Sequence, residues 1–313
     1  MSRRMRVSVV QLGPIPKDDS REKTMLRLLN LFEDATADDR TDLVVFPELA
    51  LTSFFPHWEI RDSEELHAYY ESEIPSPGMA PLLEASKRKG VAVTFGYGER
   101  TAENRLFNTA SLFKGEKELL RFRKVHLPGY NEVQPDIRHQ NLEKMYFRVG
   151  DLGFPVVDFK NTRIGLLICN DRRWPESYRM LSLQGAELVC IGYNSPIHTP
   201  SIAEADILTD FHNELSMQAG AYQNSMWVIG AAKGGVEEGV DQIGGSCIIA
   251  PNGKIVAQAV SNSDEVIGAD IDLDMSARFR KHMFNFTLHR RPELYRAITE
   301  PMPEGWPRPA LSS

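Results

Sequence analysis

The 313-residue chain has few cysteines and no excess of basic residues. Its three cysteines, Cys169, Cys190 and Cys247, are widely spaced and form no CxxC pair. This predicts free thiols in a reducing cytoplasm rather than a disulfide framework or a zinc site. A formal net charge of −7 argues against a nucleic-acid partner, because phosphate binding needs a basic face. The chain also lacks an apolar run of membrane-spanning or signal-peptide length, so we expect a soluble, cytoplasmic protein without a membrane partner.

Apolar strand-like runs alternate with helical segments along the chain, which indicates the α/β fold class. The predicted strands are rich in Val, Ile and Leu; they include 42–50, 119–127, 162–169 and 187–194. Helices are predicted at 20–34, 79–89, 175–186 and 203–224, the last with an apolar stripe of Ile207, Phe211, Leu215, Ala219 and Tyr222. No change in composition marks a linker, so we expect one domain over 1–298. The four prolines of 299–313 predict an irregular tail, either loose or lying on a neighbouring subunit.

Cys169 differs from the other two cysteines because it ends an apolar run where a strand gives way to a helix. The segment TRIGLLICNDRRWPE (162–176) continues with Trp-Pro-Glu, which is typical of a first helical turn. A thiolate is favoured near a helix N-terminus and beside cations such as Arg172 and Arg173. The pattern therefore predicts that Cys169 is a nucleophile, whereas a small buried side chain is the usual role of cysteine in a strand.

A cysteine nucleophile needs a base, and the sequence offers two kinds of candidate. His126 and His212 are available, although such histidines more often have a hydrogen-bonded structural role. A buried carboxylate can serve instead, because burial raises the pKa of such groups. Glu48 fits this description, since it follows the apolar strand of DLVVFPEL. Lys124 in LLRFRKVHLPG also stands at a strand end, where catalytic sites of α/β proteins collect.

Three blocks of the sequence, VVFPELAL, RKVHLPG and ICNDRRWPE, occur in the order of the signature blocks of the nitrilase superfamily of carbon-nitrogen hydrolases, which the chain resembles. Within that superfamily it is similar, nearly end to end, to N-carbamoyl-D-amino acid amidohydrolases. Further matching stretches are FPELALTSFFP, NLEKMYF, GDLGFPV, GYNSP, SMQAGAYQN, SCIIAPNG and HMFNF. The resemblance implies a four-layer α-β-β-α sandwich. It also implies a homodimer or homotetramer in which the C-terminal segment packs across subunits.

The resemblance further implies a catalytic site with Glu48 as general base, Lys124 and the nucleophile Cys169. Glu143 of NLEKMYF would support the lysine or the attacking water. Lys124 and the backbone N–H of Asn170 would stabilise the oxyanion. The implied reaction converts an N-carbamoyl-D-amino acid to the D-amino acid, carbon dioxide and ammonia through a carbamoyl-thioester. It needs no metal and no organic cofactor, and the sequence contains no metal-ligand spacing.

Arg172 and Arg173 follow the nucleophile, where a guanidinium can bind a substrate carboxylate through two hydrogen bonds. The resemblance assigns carboxylate recognition to this pair, with Asn194 and Ser195 of GYNSP near the same group. We expect one arginine to hold the substrate and the other to brace the loop. The structural alternative is an arginine paired with a neighbouring acid.

His126 and Asn141 complete the predicted substrate-binding set. The similar amidohydrolases carry histidine where this chain has Asn141, and usually threonine where it has Ser195. Asparagine keeps hydrogen-bonding capacity but has no titratable ring. These two positions therefore bear on the side-chain preference and on the selectivity for D-substrates.

Other functions are less consistent with the sequence. A β-ureido acid hydrolase or an aliphatic amidase would use the same chemistry, but the arginine pair favours an acidic substrate. A scaffold without activity would have lost Glu48, Lys124 or Cys169, and all three are present. A Cys-His peptidase is chemically conceivable, but no recognised Cys-His context surrounds Cys169.

Overall fold

The structure is a computed structural model that describes residues 3–199 and 202–301. The strands in these residues are β1 (Arg4–Gln11), β2 (Leu43–Val45), β3 (Tyr70–Glu71), β4 (Ala92–Arg100), β5 (Leu106–Lys114), β6 (Lys117–Arg123), β7 (Val156–Phe159), β8 (Thr162–Ile168), β9 (Leu188–Tyr193), β10 (Trp227–Ala232), β11 (Gly234–Glu237), β12 (Val240–Ile243), β13 (Cys247–Ile249), β14 (Ile255–Gln258) and β15 (Glu265–Asp272). The α-helices are α1 (Arg21–Ala35), α2 (Ser63–His67), α3 (Ala80–Lys89), α4 (Glu143–Tyr146), α5 (Pro175–Leu183), α6 (Thr209–Asn224), α7 (Asp274–His282), α8 (Phe286–His289) and α9 (Arg296–Thr299).

The strands form two large sheets and one separate hairpin. The first sheet has the order β15-β1-β2-β4-β5-β6, with β3 paired to β4, and the second has the order β14-β13-β10-β9-β8-β7. The inner strands β1, β2 and β4 are parallel, as are β8, β9 and β10, and β3 pairs parallel with β4, whereas the other outer pairs are antiparallel. The hairpin is β11-β12. Strand β15 pairs with β1 along its whole length, so a late segment of the chain completes the sheet that the first strand begins.

The two sheets face each other and each carries helices on its outer side. Helices α1 and α3 cover the first sheet through side chains such as Leu28, Phe32 and Leu82. Apolar side chains of both sheets meet in a common core, and on the far side α5 and α6 add Leu181 and Met217 to it. Because each sheet is covered on both faces, its inner strands consist almost wholly of buried residues. The resulting α-β-β-α sandwich confirms the predicted fold.

The helix predicted at 203–224 is different in detail. It begins as a 3-10 turn (Ala203–Leu208) and continues as α6. The members of the predicted stripe are half-buried or exposed, and Ile207 and Phe211 are 90% and 57% exposed. Helix α6 packs on the second sheet with another face, which includes Met217 and Ala221. Periodicity identified an apolar face, but it does not say which surface covers that face.

Several predicted strands are shorter in the structure, and the difference matters for the site. The pairing of strand 42–50 stops at Val45, that of 119–127 at Arg123 and that of 162–169 at Ile168. Glu48, Lys124 and Cys169 therefore lie in the loops that leave the strands. Most of the predicted tail, from residue 302, lies outside the described residues. Within the described residues, no helix combines the length and apolarity needed to cross a membrane.

Candidate active site

The loop that carries Glu48 leaves β2 and enters the space between the two sheets. Gly96 of β4 and Gly192 of β9 lie on either side of it. A Cβ on Gly96 would lie 2.7 Å from the Cα of Glu48, and one on Gly192 would lie 2.5 Å from its backbone nitrogen. Both distances are shorter than real Cβ contacts, so only glycine permits the approach. The carboxylate of Glu48 is thereby placed in the interior, fully shielded from solvent.

The ammonium group of Lys124 lies between two carboxylates. Its Nζ is 2.8 Å from Oε1 of Glu48 and 2.6 Å from Oε2 of Glu143, and all three side chains have no exposed surface. Burial alone lowers the pKa of Lys124, but the charges of Cys169, Glu143 and Glu48 outweigh it and raise the pKa above its usual value. Burial raises the pKa of Glu143 to about 7, despite the opposing charge of Lys124. The lysine is therefore held as a cation, and burial brings the pKa of Glu143 close to neutral.

Asn108 is a member of this cluster that the sequence analysis missed. Its Nδ2 donates to Oε1 of Glu48 at 2.7 Å and to Oε2 of Glu143 at 3.4 Å. The backbone carbonyl oxygen of Asn108 accepts from the backbone N–H of Lys124 at 2.8 Å. The signal in the sequence is that Asn108 interrupts the apolar start of β5, LFNTASLFK. A buried strand carries an amide side chain only where the amide is hydrogen-bonded.

Cys169 begins a 3-10 turn (Cys169–Arg173) directly after β8 and has a left-handed backbone, with φ of +45°. A non-glycine residue rarely adopts this conformation, which is concentrated at functional sites. Burial, followed by the charge of Glu48, raises the pKa of the Cys169 thiol, although Lys124 and Arg172 oppose the shift. The cations from which a favoured thiolate was expected therefore lower this pKa less than burial raises it. Burial and a nearby carboxylate outweigh the cations, so the thiol needs a base.

Asn194 connects the base candidate to the thiol. Its backbone N–H donates to Oε2 of Glu48 at 2.9 Å, and its side-chain amide donates to the carbonyl oxygen of Glu48 at 3.0 Å. The backbone carbonyl oxygen of Asn194 accepts from Sγ of Cys169 at 3.2 Å. Ser195 Oγ lies 4.0 Å from the same sulfur. The segment after β9 thus holds Glu48 and Cys169 in one arrangement.

Arg172 has a bracing role in the turn. Its guanidinium is 1% exposed and donates to the carbonyl oxygen of Cys169 at 2.8 Å, to Oγ of Ser195 at 2.8 Å and to Oδ1 of Asn213 at 2.9 Å. It also lies over the ring of Tyr193, 4.3 Å from the centroid. With its donors directed at these groups, Arg172 fixes the position of Cys169 and Ser195.

Arg173 is directed instead to a pocket of about 590 Å³. The pocket is lined by His57, Pro128, Gly129, Tyr130, His139, Gln140, Asn141, Cys169, Asn170, Arg173, Asn194, Ser195, Pro196, Ile197, His198, Thr199, Gly239, Val240 and Asp241. No hydrogen bond or ion pair joins the Arg173 guanidinium to any other residue that the structure describes. The Arg173 side chain is exposed to solvent, and partial desolvation by the surrounding atoms followed by the neighbouring charge of Arg172 lowers its pKa. The pocket therefore combines the thiol with an unpaired guanidinium.

The remaining predicted residues divide between the pocket and its surroundings. Asn141 lines the pocket, and its amide donates to Oε1 of Glu143 at 3.2 Å while its Oδ1 accepts from the backbone N–H of Glu143. Asn170 also lines the pocket and donates to the carbonyl oxygen of His126. His126 itself is not a lining residue, and its Nδ1 is 2.7 Å from Oδ1 of Asp171. His126 therefore holds the turn that carries the thiol.

Neither histidine considered as a base is placed to act on the thiol. His126 uses Nδ1 for Asp171, and His212 is exposed on α6 with its ring against that of Phe211. Between residues 3 and 199 and between 202 and 301, no group of three His, Cys, Asp or Glu side chains is arranged to hold a metal ion. The arrangement supports acyl transfer to a thiol, with a carboxylate as base and an ammonium beside the developing negative charge.

Comparisons with known proteins give the family of the chain. The family model described as carbon-nitrogen hydrolase matches residues 6–281. An N-carbamoylputrescine amidase from Arabidopsis thaliana is 31% identical over 232 residues, 71% of this chain and 73% of that protein. An (R)-stereoselective amidase from a Pseudomonas species is 28% identical over 305 residues, 95% of each. The crystal structure of a carbon-nitrogen hydrolase from Helicobacter pylori G27 matches with a TM-score of 0.83 at 26% identity, covering 95% of this chain and 99% of that one.

Proposed function

The chain belongs to the carbon-nitrogen hydrolase family, and on that premise we propose that it hydrolyses N-carbamoyl amino acids, preferentially those of the D-series. The products are ammonia, carbon dioxide and the free amino acid. The observation that carries the proposal is the unpaired guanidinium of Arg173 in the same pocket as Cys169. The Arg173 side chain is exposed to solvent and its donors are free, so a substrate carboxylate in the pocket can bind it through two charge-assisted hydrogen bonds.

In the first half of the reaction, Glu48 takes the thiol proton and Sγ of Cys169 attacks the ureido carbonyl carbon. Negative charge develops on the carbonyl oxygen, where Lys124 and the backbone N–H of Asn170 stabilise it. The C–N bond to the terminal nitrogen then breaks, Glu48 returns the proton to that nitrogen, and ammonia leaves. The acyl group remains on Cys169 as a carbamoyl-thioester.

In the second half, Glu48 takes a proton from water and the resulting hydroxide attacks the thioester carbon. The C–S bond breaks and the proton returns to the sulfur of Cys169. The released N-carboxy amino acid loses carbon dioxide and leaves the free amino acid. Glu143 forms a second ion pair with Lys124 beside that of Glu48, so that the ammonium keeps its position through both halves.

Sequence similarity supports the choice of a ureido group and of the D-series. The blocks NLEKMYF, GYNSP and ICNDRRWPE resemble those of the N-carbamoyl-D-amino acid amidohydrolases. One relative is named for an N-carbamoyl substrate and another for stereoselective amide hydrolysis. A second candidate is a β-ureido acid hydrolase or an aliphatic amidase, which the general amidase relationship supports. The substrate of an aliphatic amidase has no carboxylate that Arg173 could bind.

The test is ammonia release from D- and L-N-carbamoyl-phenylalanine, D- and L-N-carbamoyl-alanine, N-carbamoyl-β-alanine and a simple aliphatic amide. We expect release from the D-carbamoyl substrates above all others. Release from N-carbamoyl-β-alanine alone, or from the amide alone, would replace the proposal by the second candidate. Release from none of the six would reject both.

We also propose that the protein acts as a homodimer or homotetramer in the cytoplasm. Phe211 and Leu215 of α6 and Met180 and Leu183 of the neighbouring α5 are large apolar side chains exposed to solvent. Such a patch is typical of a subunit interface. The resemblance adds the C-terminal segment as a further contact between subunits. Three free cysteines, all buried, agree with a reducing compartment. Light scattering of the purified protein gives the assembly directly.

A further inference from the structure

His57 is a pocket-lining histidine for which the proposed chemistry has no task. It ends the 3-10 turn Phe55–His57, nine residues after Glu48, and only 5% of its surface is exposed. A buried imidazole needs partners for both ring nitrogens. The partners of His57 belong to two different walls of the pocket.

The contacts of His57 fix its tautomer. Nδ1 lies 3.0 Å from the carbonyl oxygen of Gln140, which can only accept, so Nδ1 carries the proton. Nε2 lies 3.2 Å from the side-chain amide nitrogen of Gln242 and accepts from it. Burial lowers the pKa of His57 to about 4, so that the ring is neutral at neutral pH and this pattern persists.

The first wall reached by His57 is the segment that carries Asn141. Gln140 precedes Asn141, whose side chain makes two hydrogen bonds to Glu143. A second bond holds this wall to the turn of His57, from the backbone N–H of Leu142 to the carbonyl oxygen of Pro56 at 2.8 Å. The imidazole therefore supports the residues that place Glu143 beside Lys124.

The second wall is the segment after β9 together with the β11-β12 hairpin. Gln242 forms a β-bridge with Pro196, and the backbone N–H of Ile243 donates to the carbonyl oxygen of Ser195 at 2.9 Å. Ser195 contacts both Arg172 and the thiol of Cys169. One imidazole thus joins the two walls between which a substrate has to lie.

We propose that His57 is a positioning residue that sets the distance between these two walls, and with it the size of substrate side chain that the pocket admits. The Asn141 segment lies on one side, and the Ser195 segment, held through Gln242, lies on the other. The proposal deepens the proposed function and rests on it for the choice of substrate. His57 contacts neither the thiol nor its base, and it acts through the groups that it holds.

The experiment compares His57→Phe, which keeps a ring and removes both hydrogen bonds, with Gln242→Met, which removes the Nε2 contact alone. His282→Phe, at an exposed position on α7, is the matched control. The measured quantity is the ratio of kcat/KM for D-N-carbamoyl-phenylalanine to that for D-N-carbamoyl-alanine. We expect both pocket variants to raise this ratio on the order of fivefold. Each lost hydrogen bond lets the two walls of the pocket move apart, and a wider pocket admits the phenylalanine side chain more readily.

A change of this ratio is not expected from a loss of stability, because a smaller folded fraction lowers both kcat/KM values equally. Gln242→Met remains informative if His57→Phe does not fold. Ratios within twofold of wild type in the folded pocket variants would overturn the proposal, as would an equal change in His282→Phe.

A measurement without turnover separates this proposal from the proposed function. The rates at which iodoacetamide and the bulkier N-phenyl iodoacetamide alkylate Cys169 are compared, with Cys169→Ala giving the background from the other thiols. We expect wild type to discriminate against the bulkier reagent and His57→Phe and Gln242→Met to discriminate less. If wild type hydrolyses no ureido acid, the proposed function fails, and the alkylation rates alone then support or overturn the role of His57.

Discussion

Two buried lysine–glutamate groups lie close to the pocket, and they differ in how their carboxylates are used. In the first, which we call the Lys124 cluster, one ammonium is shared by Glu48 and Glu143. In the second, the Lys233 pair, the ammonium is 3.1 Å from Oε2 of Glu237 and 2.7 Å from the carbonyl oxygen of Thr52. All of these side chains are at most 1% exposed.

Both carboxylate oxygens of Glu237 in the Lys233 pair also accept a backbone hydrogen bond. Oε2 of Glu237 accepts from the N–H of Ile15 at 2.8 Å and Oε1 accepts from that of Phe54 at 2.5 Å. Burial lowers the pKa of Lys233, whereas the pKa of Lys124 is raised because two carboxylates and a thiol surround it. The Lys233 pair therefore fixes loops, while the Lys124 cluster holds an excess of negative groups that can accept protons. Burial of an ion pair does not identify a catalytic group; the balance of its partners does.

The largest expected effect comes from removing the thiol beside the Lys124 cluster. Cys169→Ala should lower ammonia release by at least about 10⁴-fold, because no other group can form the thioester. The matched control is Cys190→Ala, which removes a buried thiol from β9 whose pKa is raised by burial alone. We expect it to keep wild-type turnover. Circular dichroism checks that both variants are folded. If folded Cys169→Ala retained turnover, Cys169 would not be the nucleophile.

Replacing each lysine by methionine, in two separate variants, tests the difference between the Lys124 cluster and the Lys233 pair. Lys124→Met should lower kcat about 10³-fold, because the oxyanion loses its buried ammonium. Lys233→Met should destabilise the fold by about 3–5 kcal/mol, because Glu237 is left buried without its counter-ion. The measurements are ammonia release per titrated Cys169 and chemical unfolding. If folded Lys233→Met lost turnover as completely as Lys124→Met, the distinction between the two groups would be wrong.

Arg173→Met should raise KM for D-N-carbamoyl-phenylalanine about 10- to 100-fold, because a charge-assisted contact to the carboxylate is lost. Any residual turnover of a neutral amide should stay the same, which makes the amide an internal control. The measurement is the ratio of kcat/KM for the two substrates in wild type and variant. An equal loss on both would show that Arg173 does not recognise the carboxylate.

The last prediction concerns the pH dependence of stability and not turnover. The pKa of Glu143 is raised from 4.5 to about 7, so the folded state binds its proton more tightly than the unfolded state. The tighter binding of this proton stabilises the folded state fully below pH 4.5, and the stabilisation is lost as the pH rises through 7. Glu143→Gln should remove this pH dependence, on the order of 3 kcal/mol between the two limits. Urea unfolding of both proteins at pH 5 and pH 8 measures it. Parallel changes in the two proteins would assign the dependence to other groups.

Much of the site could be predicted because its main residues are marked locally. Glu48, Lys124 and Cys169 each come shortly after a strand, and the ends of strands are where the sites of α/β proteins collect. Asn108 and His57 were missed because their partners are distant in sequence: Asn108 contacts Glu48 across 60 residues, and His57 contacts Gln242 across 185. The same limit applies to the thiol, whose neighbours in sequence are cations but whose burial raises its pKa.

The sequence by itself determined the α/β class and the candidate reactive side chains, because hydrophobic runs and strand-end polar residues are properties of short segments; the sandwich followed from the resemblance to a known superfamily. Tertiary structure alone decided what each residue does. It directed Arg172 to Ser195 and left Arg173 unpaired in the pocket, although the two are adjacent and chemically identical. It also turned the apolar stripe of α6 outward, since packing, and not periodicity, determines which face a sheet covers.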